Sequence, residues 1–383
     1  MRLVHTADWH LGKLFYGDYL TDEQDYLLKE QFLPFLRDCR PDAVILAGDV
    51  YDRSLPPVDA VALFDEVVTK ITKDMKLPFF VISGNHDSAS RLSFGSRLLE
   101  QGGLYISGDL RHLGGPVVLS DDWGPVSFVS LPFAEPAAVR HCSQDDTIRD
   151  WDQALQYLCR QQRQQVTTAR SVCIAHAFVA GGAVSDSERP LSVGGTEVVS
   201  PALFVGFSYT ALGHLHGPQQ VGGQMIRYAG SLLKYSFSEA GQKKGAVLAE
   251  IDKDGGVCSE TIPLAPRHDV RIMTGFFDDI MGDGTAAHDD FVLLRLQDTQ
   301  PILDGMAKAR RKFPRALALE MPQRQLSDTA GERRLDLQQS TAQQLFESFV
   351  SAMRPQQGLT AAEKSCLQDL WQELEREERE ESR

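Results

Sequence analysis

Ala43-Val44-Ile45-Leu46-Ala47-Gly48-Asp49-Val50-Tyr51-Asp52 is the stretch whose reading decides the fold. A strand with one wet face alternates polar and apolar residues, whereas an unbroken apolar run belongs to a strand covered on both faces. Here the run stops at a glycine, and a carboxylate follows at once. A residue without Cβ lets the backbone turn sharply at a strand end and admits a close neighbour. The same grammar recurs outward from this segment. Arg2–Thr6 runs into Asp8-Trp9-His10, Phe79–Ile82 ends at Gly84-Asn85-His86-Asp87, and a strand expected at 209–212 ends at Gly213-His214-Leu215-His216. Helical spacings lie between the runs: an amphipathic helix near 22–38, and Val61, Phe64, Val67, Val68 and Ile71 between Asp59 and Thr72. Strand and helix alternate over the first hundred residues, which predicts an α/β sandwich with helices on its flanks. Sites in open α/β sheets lie beyond the carboxyl ends of the strands.

Further strands are expected at 126–131, 171–175, 225–229 and 245–251. After about residue 265 the pattern changes. A strand (269–273), a helix (276–281), a strand (291–297), a helix (302–312) and a strand (316–320) predict a small α+β unit. The polar stretch 322–340 reads as a linker. Two helices follow within 341–383. One carries Leu345, Phe346, Phe349, Val350 and Met353 in a stripe; the other carries Leu367, Leu370, Trp371 and Leu374. Pro355 and Gly358 separate them, and Thr360 with Glu363 makes a capping box. The expected division is 1–264, 265–321, a linker at 322–340, and 341–383. The terminal stripes are too small to form a core of their own; they either pack back on the body or dock in a partner's groove, and the second is the expectation.

At 383 residues the chain exceeds one ordinary core. Its composition, 42% hydrophobic and 24% charged, is that of a soluble globular protein. No apolar stretch approaches the roughly 20 residues needed to cross a bilayer. No leader is expected either, because its removal would destroy a site that includes Asp8. The six cysteines form no CxxC pair, so reduced thiols and a cytoplasmic location are expected. A net charge of −14 argues against non-specific nucleic-acid binding. Bound divalent cations would offset part of it locally, and Lys308-Ala309-Arg310-Arg311-Lys312-Phe313-Pro314-Arg315 is a basic cluster. That cluster reads either as a solvated helix face or as a contact to a DNA backbone.

The motifs supply a donor set for two divalent ions. Asp8 and His10 can share one ion, with His216 completing it; Asp49 is the natural bridge; Asn85, His176 and His214 complete the second. Oxygen and nitrogen donors without thiolate suit Mn²⁺, or else Fe²⁺ or Zn²⁺, better than Mg²⁺. Two ions about 3.5–4 Å apart lower the pKa of a shared water and hold phosphoryl oxygens. The leaving alkoxide then needs a proton. His86, directly after Asn85, is placed to be the general acid, and Asp52 to orient it and favour its charged form. Taken singly, Asp-x-His is a weak signal, Gly-Asn-His-Asp can be an ordinary turn, and His176 can be a satisfied core histidine. The ordered set, each member after an apolar strand, points to a metal-dependent phosphoesterase. His5, His112, His141, His268 and His288 lie outside it and are expected to be structural or solvated.

These motifs, in this order, resemble the calcineurin-like metallophosphoesterases. Met1-Arg2-Leu3-Val4-His5-Thr6-Ala7-Asp8-Trp9-His10-Leu11-Gly12, then Ala47–Arg53 with Pro56-Pro57, then Arg227-Tyr228-Ala229-Gly230-Ser231, are similar to the SbcD family of bacterial DNA-repair nuclease subunits. The match covers about residues 1–250. The resemblance implies metal ligands Asp8, His10, Asp49, Asn85, His176, His214 and His216, with His86 as the catalytic acid. It also implies an exonuclease and hairpin endonuclease on DNA ends, a homodimer formed by helices near the active site, and a nucleoid-associated role with an SbcC-like ATPase that docks on 341–383. Archaeal and eukaryotic nucleases of this kind often carry histidine at the position of Asp52; aspartate there is usual in phosphatases of the wider superfamily. No G-x-x-x-x-G-K-[ST] occurs, so any ATP dependence must come from the partner. Two other readings compete. A phosphatase or cyclic-nucleotide phosphodiesterase would have little use for 265–383. A non-cutting DNA-end scaffold would not need a complete ligand set.

Overall fold

Runs such as Ala43–Ala47, apolar at every position, have no face that tolerates water, and the fold places layers on both sides of them. The computed structural model describes residues 1–188, 197–223 and 225–322, with the isolated positions 350, 360, 363, 367 and 370. In chain order, β1 (Arg2–Thr6), β2 (Ala43–Ala47), β3 (Phe79–Ile82) and β4 (Leu104–Ser107) begin one sheet. Next, β5 (Val117–Asp121), β6 (Gly124–Leu131), β7 (Arg170–His176), β8 (Tyr209–Gly213), β9 (Gln219–Gln220) and β10 (Ile226–Tyr228) build a second. The chain then returns to the first sheet with β11 (Gly245–Ile251) and β12 (Val257–Pro263). Each sheet has six strands, in the orders β12-β11-β1-β2-β3-β4 and β9-β10-β8-β7-β6-β5. β1 to β4 pair in parallel, as do β6, β7, β8 and β10; the remaining strands, β5, β9, β11 and β12, join antiparallel, and β4 is a parallel edge.

Side chains alternate between faces along each strand. Leu3, Ile45, Phe80 and Ile82 of the first sheet meet Phe128, Val172, Ile174 and Ala211 of the second in one core. The ring of Phe80 is stacked on Tyr105 at 4.8 Å and on Phe128 at 4.4 Å. The alternate residues Val4, Val44, Leu46 and Val81 face outward onto Leu28, Phe32 and Val67 from helices. On the far side Val129, Leu131 and Cys173 pack against Val139, Leu155 and Leu158. These last come from two helices, Pro136–Ser143 and Trp151–Arg163. Four layers result, helix–sheet–sheet–helix. His5 is buried between the sheets, its Nδ1 3.0 Å from the Tyr209 hydroxyl and its Nε2 3.1 Å from the Leu212 carbonyl. Burial holds its pKa down to about 3, so the ring is a neutral structural bridge.

The strands expected from apolar runs are present within a residue or two. The edge strands 104–107, 117–121 and 257–263 and the helices 136–143 and 151–163 escaped the sequence reading. Edge strands need only one covered face, and Val117–Asp121 and Val257–Pro263 accordingly keep exposed polar residues. The helix expected near 22–38 spans 21–39 and widens at Leu27–Phe32, just before Pro34. Proline lacks an N–H and collides with the carbonyl four residues earlier in a regular coil; the wider turn relieves both problems.

Three later strands, Val270–Gly275, Phe291–Leu296 and Ala316–Glu320, form a separate sheet, accompanied by helices Phe277–Met281 and Gly305–Lys312. By contact density the chain divides into two compact units. One comprises Met1–Met273, Ala287–Leu293 and Met306–Ala318; the other comprises Thr274–Ala286, Leu294–Gly305 and Leu319–Arg383. The expected linker beyond 322 and the two terminal helices lie outside the described residues, apart from the isolated positions. Among those, Thr360 and Glu363 form the expected capping box: the Thr360 N–H and hydroxyl each donate to Glu363 Oε2 at 2.8 Å. Among the described residues no helix is long and apolar enough to cross a membrane.

Phe80→Ala removes the ring on which two others stack. Urea unfolding is expected to show a loss of about 3–5 kcal/mol, the range for a fully buried phenylalanine.

Candidate metal centre

All the motifs follow carboxyl ends of parallel strands: Asp8 and His10 after β1, Asp49 and Asp52 after β2, Asn85 and His86 after β3, His176 at the end of β7, and His214 and His216 after β8. Sheet pairing aligns these ends. Asp8 N–H donates to the Gly48 carbonyl at 3.0 Å, and His10 N–H to the Asp49 carbonyl at 3.0 Å. Both sheets thus deliver side chains to one buried point. Asp8, His10, Asp49 and His214 all have positive φ, between 45° and 108°. Non-glycine residues rarely adopt such angles, and they persist where surrounding bonds enforce them.

Close packing fixes the rest. Gly48, at φ +91°, lies so near His176 that a methyl group there would overlap the imidazole. A methyl on Gly84 would likewise overlap the Asp49 carboxylate. The two glycines are therefore what let a second strand's ligand come within reach of the first's.

The donors gather in two overlapping clusters. In one, ligand atoms of Asp8, His10 and His216 lie within 4.8 Å of one another. His10 Nε2 and His216 Nε2 are 3.0 Å apart. In the other, Asn85 Oδ1 lies 3.0 Å from His176 Nε2 and 3.1 Å from His214 Nδ1, and His176 Nε2 lies 3.5 Å from Asp49 Oδ2. Asp49 Oδ2 is also 3.6 Å from His10 Nε2, so its carboxylate stands between the clusters. His86 stands with them: its ligand atom lies within 4.8 Å of those of His10 and Asp49, its N–H donates to Asp49 Oδ1 at 2.9 Å, and its ring is 4.7 Å from that of His10.

The buried carboxylates and imidazoles of this pocket shift one another's titration. Burial pushes the Asp8 carboxyl well above its usual range, although His176 works against this. Burial acts the same way on Asp49, but His176 and His10 overcome it and hold that carboxyl low. Burial would lower His176, yet Asp49 and Asp8 lift it to about 9. The two carboxylates thus favour positive charge at this point of the pocket. His10 and His214 are driven by burial down to about 3, which keeps them neutral, as a metal ligand must be. His176 Nδ1 faces the Ala47 carbonyl at 2.9 Å, which directs Nε2 to the cluster. These donors fit divalent cations.

Asp52 sits differently from expectation. Its backbone carbonyl accepts from His86 Nδ1 at 2.8 Å. Its carboxylate instead faces His10 Nδ1 at 3.5 Å and pairs with Lys13 Nζ at 2.8 Å. Burial would raise that carboxyl, but His10 and Lys13 bring it down to about 2. The turn that carries Asp52 therefore orients His86 by its main chain, while the charged group props His10.

Several supporting residues left no mark in the sequence reading. Gln24 donates to the Trp9 and His10 carbonyls at 3.0 and 2.8 Å, and its Oε1 accepts from Gly12 N–H at 3.0 Å. The Tyr235 hydroxyl also donates to the Trp9 carbonyl. The Trp9 indole is buried against Phe32, Phe64 and Phe79 and anchors the loop that holds both neighbouring ligands. Asp87 accepts backbone N–H bonds from Val50, Tyr51 and Gly84 at 2.9–3.1 Å, tying the second motif to the third. Asp87 belongs to a quoted motif and could have been singled out. Gln24 and Tyr235 are single polar residues in ordinary surroundings, and nothing local marks them.

With this geometry in view, the chain matches known families. Residues 1–165 match the calcineurin-like phosphoesterase family, and residues 266–354 match the family described as the type 5 capsule protein repressor C-terminal domain. A similar protein is the SbcD subunit of the nuclease SbcCD from Staphylococcus epidermidis. It is 36% identical over 322 residues, covering 83% of this chain and 85% of that protein.

Gly48→Ala should leave the fold intact but push His176 off its position. Metal analysis of dialysed protein should show fewer bound divalent ions than wild type. Phosphodiester cleavage should fall about 10²-fold, the scale set by a misplaced group of roughly 1 Å.

Proposed function

We propose a function from one premise: this chain belongs to the SbcD family of nuclease subunits, whose catalytic part is a calcineurin-like phosphoesterase. In this reading the chain is a DNA phosphodiesterase that trims double-stranded ends and opens hairpins, loaded with two Mn²⁺ ions. The observation that carries it is the convergence of Asp8, His10, Asp49, Asn85, His176, His214 and His216 on one buried point with His86 at its edge. Bound divalent ions would supply Lewis acidity and an activated water at near-neutral pH. The chain's own residues do the remaining work. Asp49 holds the two donor clusters in register. His86, with Nδ1 donating to the Asp52 carbonyl, keeps Nε2 free to hand a proton to the departing sugar oxygen. Asp52 and Lys13 keep His10 in place.

The division of labour along the chain follows the sequence expectation. Residues 1–264 are the nuclease domain, 265–321 a small capping domain that contacts DNA, 322–340 a linker, and 341–383 the docking segment for an SbcC-like ATPase. Lys308, Arg310 and Arg311 are exposed on helix Gly305–Lys312 and suit a phosphate backbone. The protein works as a homodimer in the cytoplasm, on the nucleoid. Support for the dimer comes from an apolar surface beside the second and third motifs: Leu55, Val58, Phe94 and Leu98 are 70–86% exposed. Monomers seldom leave such a patch uncovered.

The first test offers purified protein with Mn²⁺ linear duplex DNA and small phosphomonoesters. Cleavage of DNA is expected; activity on the monoesters alone would defeat this reading. His86→Ala should retain both ions by metal analysis and slow DNA cleavage about 10²–10⁴-fold. Loss of an ion in that variant would make His86 a ligand instead. For the dimer, Phe94→Asp combined with Leu98→Asp should halve the mass seen by light scattering; an unchanged dimer would place the interface elsewhere.

A further inference from the structure

We propose that Ser187 and Glu239 are positioning residues for His216, and that with Lys244 they form a buried relay that fixes its tautomer for one of the two ions. The inference rests on the two-ion reading above. Ser187 Oγ lies 2.6 Å from His216 Nδ1 and also hydrogen-bonds Glu239 Oε1. Glu239 is fully buried and Lys244 nearly so. Lys244 Nζ pairs with Glu239 Oε2 and donates to the His216 carbonyl at 2.6 Å and to Ser231 Oγ at 2.9 Å. Burying an ion pair is a poor way to fill a core, since desolvation can exceed the attraction gained. Its place directly behind a candidate ligand gives it a purpose.

The protons follow by elimination. A carboxylate kept ionised by an adjacent ammonium can only accept hydrogen bonds. The single hydroxyl proton of Ser187 therefore goes to Glu239. The Ser187 oxygen can then only accept, and its donor is His216 Nδ1–H. With hydrogen on Nδ1, the Nε2 lone pair is left bare, and it points at His10 Nε2, 3.0 Å away. His10 Nδ1 faces the Asp52 carboxylate, which favours hydrogen there and a bare Nε2 as well. Two lone pairs at that distance repel each other unless a cation lies between them.

The relay also holds the main chain of His216. Its N–H donates to Glu188 Oε1 at 2.6 Å, from the residue next to Ser187. Asp186 N–H donates to Ser238 Oγ at 3.0 Å, which fastens the Ser187 segment to the turn that carries Glu239. His176, in contrast, is oriented by the Ala47 carbonyl, an acceptor that no side-chain substitution removes. Retention of the ion at Asp8, His10 and His216 therefore depends on distant side chains, whereas His176 relies on its neighbouring strand.

The test titrates Mn²⁺ into metal-free wild type, Ser187→Ala, Ser187→Thr and Glu239→Gln by calorimetry, with thermal melting of each metal-free protein as the check on folding. Ser187→Ala is expected to weaken one of the two ions about 10–100-fold, the cost of losing an outer partner of a ligating histidine, and to leave the other unchanged. Ser187→Thr, which keeps the hydroxyl, should restore the wild-type isotherm, and Glu239→Gln should behave like Ser187→Ala. Two wild-type sites in Ser187→Ala, or equal weakening of both, would overturn the relay. A wild-type protein that binds no Mn²⁺ would instead sink the earlier functional reading, so the two failures are distinguishable.

Discussion

Asp8 and Asp49 are two carboxylates buried almost without solvent, and the need to balance their charge organises everything around them. Isolated ions in such a place would be far too costly, so a protein must pair them, protonate them or bind cations. The strain shows in the titration of the pocket: burial drives the Asp8 carboxyl up, and Asp49 and Asp8 drive His176 up against its burial. The donor set around them, imidazoles and an amide beside the two carboxylates, fits divalent cations that would balance the charge instead. The acidity that argues against DNA binding in the bulk composition is thus concentrated, in part, where cations would reverse it.

Assembling this centre requires backbone approach that ordinary residues forbid. Gly48 makes room for the His176 ring, and Gly84 for the Asp49 carboxylate. Left-handed backbone at four donor-bearing positions is kept in place by Gln24, Asp87 and Tyr235, whose hydrogen bonds tie the loops together. The sandwich core supplies the rigid base on which those loops rest. Strain at the site is therefore carried by packing elsewhere, which is why Trp9, between two donors, is among the most buried side chains of the chain.

Much of this was legible without coordinates. Continuous apolar runs gave the parallel strands nearly to the residue, because a strand covered on both faces admits no polar member. The candidate donors stood out because each sits one to four residues past such a run. Edge strands were not, since Val117–Asp121 and Val257–Pro263 mix polar and apolar residues much as loops do. Asp52 shows the limit most clearly. Sequence proximity to Asp49 suggested a partner for His86, and the turn does provide one, but through the carbonyl. Which of its two oxygen-bearing groups faces which histidine depends on the turn angle, and residue type does not encode that.

Sequence alone determined the layered α/β architecture, the order of the motifs and the donor chemistry, all of which follow from local periodicity and residue type. Tertiary structure alone decided that strands from two different sheets end at one point, and that His216 is backed by Ser187, Glu239 and Lys244. Contacts of that kind join turns 28 or more residues apart. No local pattern records them, because a single serine or glutamate acquires its role only from what the folded chain places within 3 Å of it.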